Sequence, residues 1–367
     1  MSNYSRLLEI FEKLVRFKTV EGNHKEMVAC LDFCEDILKP HNLHINRYRS
    51  NGVPSLVATT HATKKPKLLL QAHLDVLHAP DQMFRVEGKG KKLVGRGVID
   101  MKFAAACFLY LVEQLGDRCA EFDFGIMFSM DEEIDSLNGV EYLLEQGYSA
   151  EACFLPDGGN DWKVESSAKG NWWVWLTSPG RSAHASRPWL GNNPIGKLLP
   201  FIVQAEKLSS KNRLKGTTVV PTVFKSGTGI NQIPDEAVAA LDVRFPTKKD
   251  FERIHDKLDK LGKKYKIQVK TWRFGDALIH DTDAPIFKIW EEVVTEVRDT
   301  KFGGYMQSVA QSDAWRFSKR GIPTLLVRPD GGDLHGPEEW IDEKGFYEYY
   351  ECVKIFVERM ASKSAEA

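Results

Sequence analysis

Apolar positions recur along this chain with two alternating periods. "LLEIFEKLVRF" and "KEMVACLDFCEDIL" repeat at helical spacing, whereas "SLVATT", "KLLLQAHLDV" and "FDFGIMFSM" read as strands. Between the last two, "DMKFAAACFLYLVEQLG" predicts an apolar, Ala-rich helix that stops at Gly116. Unbroken apolar runs such as "KLLL" and "FGIMF" suit strands covered on both faces, as in an α/β sheet.

The pattern changes near residue 166. "GNWWVWLTSP", "PIGKLLPFIVQAEKL", "TTVVPTVFKSG", "EAVAALDVRFP", "KDFERIHDKLDKLGKKY" and "IQVKTWRFG" follow the order β-α-β-β-α-β, the pattern of a small open-faced sandwich. "APIFKIWEEVVTEV", "TLLVRP" and "FYEYYECVKIFVERMA" then resume the earlier alternation. The expected fold is α/β. Residues 1–165 and 280–367 form a mixed, mostly parallel sheet with helices on both faces, and 166–279 form an inserted α+β, ferredoxin-like domain. A length of 367 residues agrees, because single cores rarely grow beyond roughly 250–300 residues.

Charge supports the same division. Residues 166–279 hold 20 Lys and Arg against 9 Asp and Glu, leaving 30 and 42 for the rest. The whole chain nearly balances, at −1, so nothing favours nucleic acid or an anionic membrane as partner. No run of about 18 apolar residues predicts a membrane span. The start, "MSNYSRLLEIFEKLVRF", reads as an amphipathic helix rather than a signal peptide. Six scattered cysteines without CxxC pairs suit a reducing compartment, and a cytoplasmic protein is expected.

Candidate chemistry gathers just beyond the predicted strands. "LLLQAHLDV" ends on His73 and Asp75, which share one face of a strand, so the carboxylate can orient the imidazole. "GRGVIDMK" puts Asp100 in a glycine-punctuated turn, where it could equally cap the following helix. "SMDEEID" crowds Asp131, Glu132 and Glu133 after an apolar strand, and such carboxylates need a compensating positive charge. "FLPDGG" adds Asp157 and "DLHGPEEW" adds His335; each alone could simply shape its turn. Together, His73, Asp100, Glu133, Asp157 and His335 lie where the ligand crevice of an open α/β sheet forms. Two histidines and three carboxylates suit two divalent ions that share one bridging carboxylate, with zinc the metal such ligands favour. Two such ions about 3.5–4 Å apart can activate a water for hydrolysis.

"HLDV", "GRGVIDMK", "MDEE", "PDGG" and "LHGPEEW", in this order, resemble the motifs of the M20 dinuclear metallopeptidases and deacylases. "GRSAHASRPWLGNNP" and "SGTGINQIPDEAVAALDVRFP" resemble that family's lid motifs, so the likeness spans nearly the whole chain. The resemblance implies that His73 and Asp157 bind one ion, Glu133 and His335 the other, and that Asp100 bridges them. Asp75 would steady His73, and Glu132 would be the general base. From the lid, His184 would donate to the oxyanion, often across a dimer, while Asn231 and Arg244 would hold a substrate carboxylate. The implied cofactor is a pair of divalent ions, zinc first, with cobalt or manganese as alternatives. A homodimer formed through the lid is also implied.

The chain departs from the family pattern at Phe103, Pro194 and Gln311, and "VRPDGGDLH" lacks the GPG-like stretch that often precedes the last histidine. The resemblance therefore fixes the chemistry better than the substrate. The resemblance implies that Asp157, as an Asp rather than a Glu at that ligand, inclines the reading toward a dipeptidase or aminopeptidase acting on a small substrate with a free carboxylate. An N-acyl amino acid deacylase, of the acetylornithine or succinyl-diaminopimelate type, is the alternative. A silent metal- or ligand-binding relative is the remote one, because Glu132 and every expected ligand are present.

Overall fold

The protein is described by a computed structural model covering residues 4–134 and 136–362. It divides into two compact units. The first runs to Ser166 and continues over His280–Gln307 and from Ser312; the second comprises Ser167–Ile279 and Ser308–Gln311. The sequence pattern assigns all of 280–367 to the first unit, so the Ser308–Gln311 segment is a correction. Its attachment is local: Lys169 N donates to Ser308 O at 3.2 Å, and Gln311 Nε2 to Asp276 O at 2.6 Å.

The first unit is built on a six-stranded sheet. In spatial order its strands are His44–Ser50, Val53–Thr59, Phe124–Ser129, Leu68–His73, Ala152–Phe154 and Thr324–Leu325. The last four run parallel and the first two join antiparallel, so the sheet is mixed. Every residue of Leu68–His73 and Phe124–Ser129 is buried, as central strands covered on both faces require. Helices Ser5–Arg16, His24–Leu38, Lys102–Leu115, Pro285–Arg298 and Glu343–Ala361 bring Phe11, Leu31, Phe108, Trp290 and Phe356 into one core with Leu70 and Phe128. Lys102–Leu115 is buried except at Glu113 and Gln114, and the small side chains Ala104, Ala105 and Ala106 allow that close approach.

Two strands differ from the sequence expectation. His44–Ser50 is a polar edge strand without apolar alternation, joined to Val53–Thr59 through Asn51 and Gly52, both at positive φ. An Asn-Gly pair is the usual signal of such a tight hairpin. "TLLVRP" forms a ladder only at Thr324–Leu325. Beyond it the carbonyls find other donors: Leu326 O accepts from Glu165 N at 3.0 Å, Val327 O from Tyr349 OH at 2.8 Å, and Arg328 O from Trp162 N at 3.0 Å.

The second unit is a four-stranded antiparallel sheet in the order Thr218–Ser226, Glu236–Phe245, Gly170–Pro179, Gln268–Gly275. Gly170–Pro179 and Glu236–Phe245 alternate strictly between buried and partly exposed positions. Their buried set, including Trp172, Leu176, Leu241 and Phe245, packs with Leu198 and Phe201 of helix Ile195–Glu206 and with Ile254 and Leu258 of helix Lys248–Tyr265. This is the β-α-β-β-α-β sandwich that the periodicity predicts. All six cysteines are buried free thiols. Among the described residues no helix is long and apolar enough to cross a membrane.

Candidate metal centre

The parallel strands of the first unit end at one edge of the sheet, and the predicted residues follow them there. His73 closes Leu68–His73, Glu132 and Glu133 follow Phe124–Ser129, and Asp157 follows Ala152–Phe154. Asp100 sits in the turn before helix Lys102–Leu115, where Gly97 adopts φ +79 and a side chain would strike Val76 Cγ1 at 2.8 Å. His335 is held at φ 63, outside the usual region for a residue with a side chain, in a turn where Asp333 Oδ2 accepts from Glu338 N at 2.8 Å.

Two groups of donor atoms result, each within 4.8 Å: His73, Glu132 and Asp157, and Asp100, Glu133 and His335. Asp100 faces both. Its Oδ1 lies 3.2 Å from His73 Nε2 and its Oδ2 3.2 Å from His335 Nε2. His73 Nε2 is 3.8 Å from Asp157 Oδ1, and His335 Nε2 is 3.3 Å from Glu133 Oε2. His73 Nδ1 meets the Asp75 backbone carbonyl at 3.1 Å and the Asp75 carboxylate at 3.6 Å. The Asp75 carboxylate itself accepts from Glu133 N at 2.9 Å, so Asp75 organises both neighbours.

Electrostatics make this a site that demands positive charge. Burial pushes Glu132 well above the ordinary glutamate range, and the neighbouring Asp157 charge adds to the effect. Glu133 is raised for the same first reason, desolvation. His335 is pushed up to about 10 by its contacts with Asp100 and Glu133. Burial opposes protonation of His73, yet Asp100, Asp157 and Asp75 together raise it well above its usual value. Carboxylates gathered around two imidazoles mark a place where divalent ions would relieve the excess negative charge. The nitrogen and oxygen donor sets fit such ions.

Three further residues complete the centre, and sequence reasoning missed two of them. Arg328, buried, donates through Nη2 to Asp157 Oδ1 and, at 3.3 Å, to Asp100 Oδ1. Glu339, fully buried, accepts from the backbone N–H groups of Gly97, Ile99 and Asp100 at 3.1–3.2 Å. Arg328 ends the strand-like "TLLVRP" and Glu339 lies in the loop beyond it; a charged side chain beside a buried strand was the available signal for Arg328. The third, Asp131, accepts from Asn138 N at 2.8 Å and Gly139 N at 3.1 Å and thereby shapes the acidic loop.

The three lid candidates belong to the second unit. Ala183–His184 pairs antiparallel with Gln232–Ile233, and Ala185 N donates to Asn231 O at 2.8 Å, which makes His184 and Asn231 close neighbours. Ser186 N donates to His184 Nδ1 at 3.2 Å, so in the neutral ring the proton is on the exposed Nε2. Arg244 lies on the open face of the sheet, opposite Asn171 and Thr218. Its Nε and Nη2 already grip Asp242 at 2.8 and 3.0 Å, a pairing the sequence reading did not foresee.

Residues 166–269 match the family described as "Peptidase dimerisation domain". A succinyl-diaminopimelate desuccinylase from Corynebacterium glutamicum is 28% identical over 331 residues, covering 86% of this chain and 85% of the relative. The M20 family metallo-carboxypeptidase Sso-CP2 from Sulfolobus solfataricus superposes with a TM-score of 0.80 at 18% identity, over 97% of this chain and 99% of that one. A tripeptidase from Staphylococcus aureus gives 0.77 at 18% identity, over 98% of each chain. At these identities the structures establish a shared fold.

Proposed function

The chain belongs to the M20 family of metal-dependent peptidases and deacylases, and from that premise we propose that it hydrolyses an amide bond in a small substrate with a free carboxylate, a dipeptide or short peptide. One observation carries the reading: Glu132 lies within one of two sets of donor atoms that Asp100 links.

His73 and Asp157 would hold one ion, Glu133 and His335 the other, with Asp100 between them. Two divalent ions bound there, zinc first, would supply Lewis acidity toward the scissile carbonyl and toward water. Glu132, raised by burial, would accept the proton of the attacking water and return it to the departing amine. Asp75 would keep His73 oriented with Nε2 toward the site. His184 would offer its Nε2–H to the oxyanion, and its Nδ1 contact with Ser186 supports that tautomer. Asn231 and Arg244 would take the substrate carboxylate, Arg244 through Nη1, which lies outside the Asp242 pair. The matched dimerisation domain supports a homodimer formed through the second unit.

The likeness to a desuccinylase over 86% of the chain favours a second reading, removal of an N-acyl group from an amino acid. A hydrolysis screen of the purified, metal-loaded protein decides between them. It should contain dipeptides, tripeptides, N-acetyl and N-succinyl amino acids and longer peptides. Turnover of dipeptides or tripeptides above the acyl amino acids is the expected result; turnover confined to N-acyl substrates selects the second reading. No hydrolysis of any amide with Zn²⁺, Co²⁺ or Mn²⁺ refutes both.

A further inference from the structure

Arg328 neither holds a metal nor moves a proton in the scheme above. Its backbone is fixed on both sides, since Val327 O accepts from Tyr349 OH at 2.8 Å and its own carbonyl from Trp162 N at 3.0 Å. Its Nε points to Pro156 O at 3.4 Å, and its Nη2 reaches Asp157 Oδ1 and Asp100 Oδ1. These two oxygens are the ones that face His73 Nε2, at 3.8 and 3.2 Å. A partner that merely steadied the carboxylates would more usefully bond their remaining oxygens. The guanidinium instead shares the donor side of one metal position.

The other position differs in kind. There the group facing Asp100 Oδ2 and Glu133 is the imidazole of His335, whose nitrogen is itself a donor for a metal. A guanidinium cannot be deprotonated, so its charge persists beside any ion bound by His73 and Asp157.

We propose that Arg328 is a permanent third cation that makes the two metal positions unequal, so that Asp100, Glu133 and His335 fill first and His73 and Asp157 bind the second ion weakly. This rests on the reading of the two groups as metal positions. Two effects of Arg328 compete. Holding ligands in place typically strengthens metal binding by about 10–100-fold. A fixed like charge within a few ångströms weakens it by at least about tenfold where burial lowers screening. Because Nη2 addresses the ligand oxygens themselves, repulsion wins, and the sign of the effect is the test.

Metal-free, full-length protein is dialysed against Zn²⁺ buffered at graded free concentrations, and bound zinc per chain is counted by elemental analysis. The wild type is expected to take up one ion, then a second with a Kd at least about tenfold higher. His335→Ala should remove the tight step and His73→Ala should leave it. Arg328→Met should bring the second step to within about threefold of the first, while Arg328→Lys, which keeps the charge, should preserve the gap. If Arg328→Met does not fold, Arg328→Gln, which keeps a donor and removes the charge, takes its place with the same expected result. Equal uptake of both ions by the wild type, a tight step that depends on His73, or a weaker second step in Arg328→Met overturns the proposal. A wild type that binds no zinc, cobalt or manganese overturns the metallohydrolase reading and this inference with it.

Discussion

Arg96 and Glu339, 243 positions apart, form a buried ion pair of 2.7 Å that joins the turn carrying Asp100 to the turn carrying His335. Glu339 accepts from the backbone of Gly97, Ile99 and Asp100, and Arg96 Nη2 donates to the carbonyls of His335 and Gly336 at 3.1 and 3.3 Å. Asp100 and His335, two donors of the same group, are thus set by one pair of charges that holds their backbones. Removing one partner of a buried pair leaves the other uncompensated, which typically costs about 3–5 kcal/mol. Glu339→Ala should lower the unfolding free energy of the metal-free protein by that order and loosen metal binding. Urea unfolding and dialysis against buffered Zn²⁺ measure the two effects, and intact metal affinity in a folded variant would contradict the linkage.

What could be read from sequence follows from what each element depends on. Buried strands such as Leu68–His73 and the sandwich of the second unit are encoded in local periodicity, so they are legible. His44–Ser50 owes its place to an Asn-Gly hairpin and the free edge of a sheet, which leave no apolar pattern. The candidate ligands stand at strand ends, where a carboxylate or imidazole after an apolar run is conspicuous. Arg328 and Glu339 act through partners more than 170 positions distant, and no local feature of "VRPDGG" or "PEEW" announces that. For the same reason the engagement of Arg244 by Asp242, two residues away, could have been anticipated from strand geometry.

Asp131 has an identifiable structural task with an electrostatic cost. Its Oδ2 accepts from two backbone N–H groups, but its Oδ1 has no hydrogen-bond partner among the described residues, and Gly139 leaves no room for a side chain there, since a Cβ would lie 2.2 Å away. Burial, and then the Asp75 charge, push its carboxyl up to about 7 from 3.8. A folded-state value above the unfolded one means that the native protein binds the extra proton, so this contribution to stability is full below about pH 4 and is lost as pH rises toward 7. The full span corresponds to at most about 4 kcal/mol. Asp131→Asn keeps an acceptor and removes the charge. In metal-free protein its stability relative to wild type should therefore improve progressively between pH 4 and pH 8. Urea unfolding across that range checks this, and a difference independent of pH would contradict it.

Arg244 is already tethered, so its role in binding should be selective rather than structural. Asp242 and Arg244 are both partly exposed, and their pair contributes little to stability. Arg244→Ala should raise KM for substrates with a free carboxylate by about 10–100-fold, in line with the loss of a charge-assisted contact of about 1.5–3 kcal/mol. Amide-blocked analogues should be nearly unaffected, with thermal unfolding unchanged. Equal losses on both substrate types would place Arg244 outside carboxylate recognition.

Glu132 and Glu133 are adjacent, yet their surroundings separate them. Glu133 Oε2 lies 3.3 Å from His335 Nε2, whereas Glu132 falls in the group of His73 and Asp157 and is lifted by burial and by the charge of Asp157. Burial raises both carboxylates, so the pairing with His335 is what separates them. A carboxylate paired with an imidazole suits a ligand. Glu132→Gln keeps the side-chain volume and removes the proton acceptor, so turnover should fall by about 10²–10⁴-fold. Bound zinc, measured on the same preparation, should stay near the wild-type stoichiometry. Glu133→Gln is the internal control, since it should lower metal content first and activity as a consequence. If the Glu132 variant loses metal in proportion to activity, Glu132 is a ligand and the division between these neighbours is reversed.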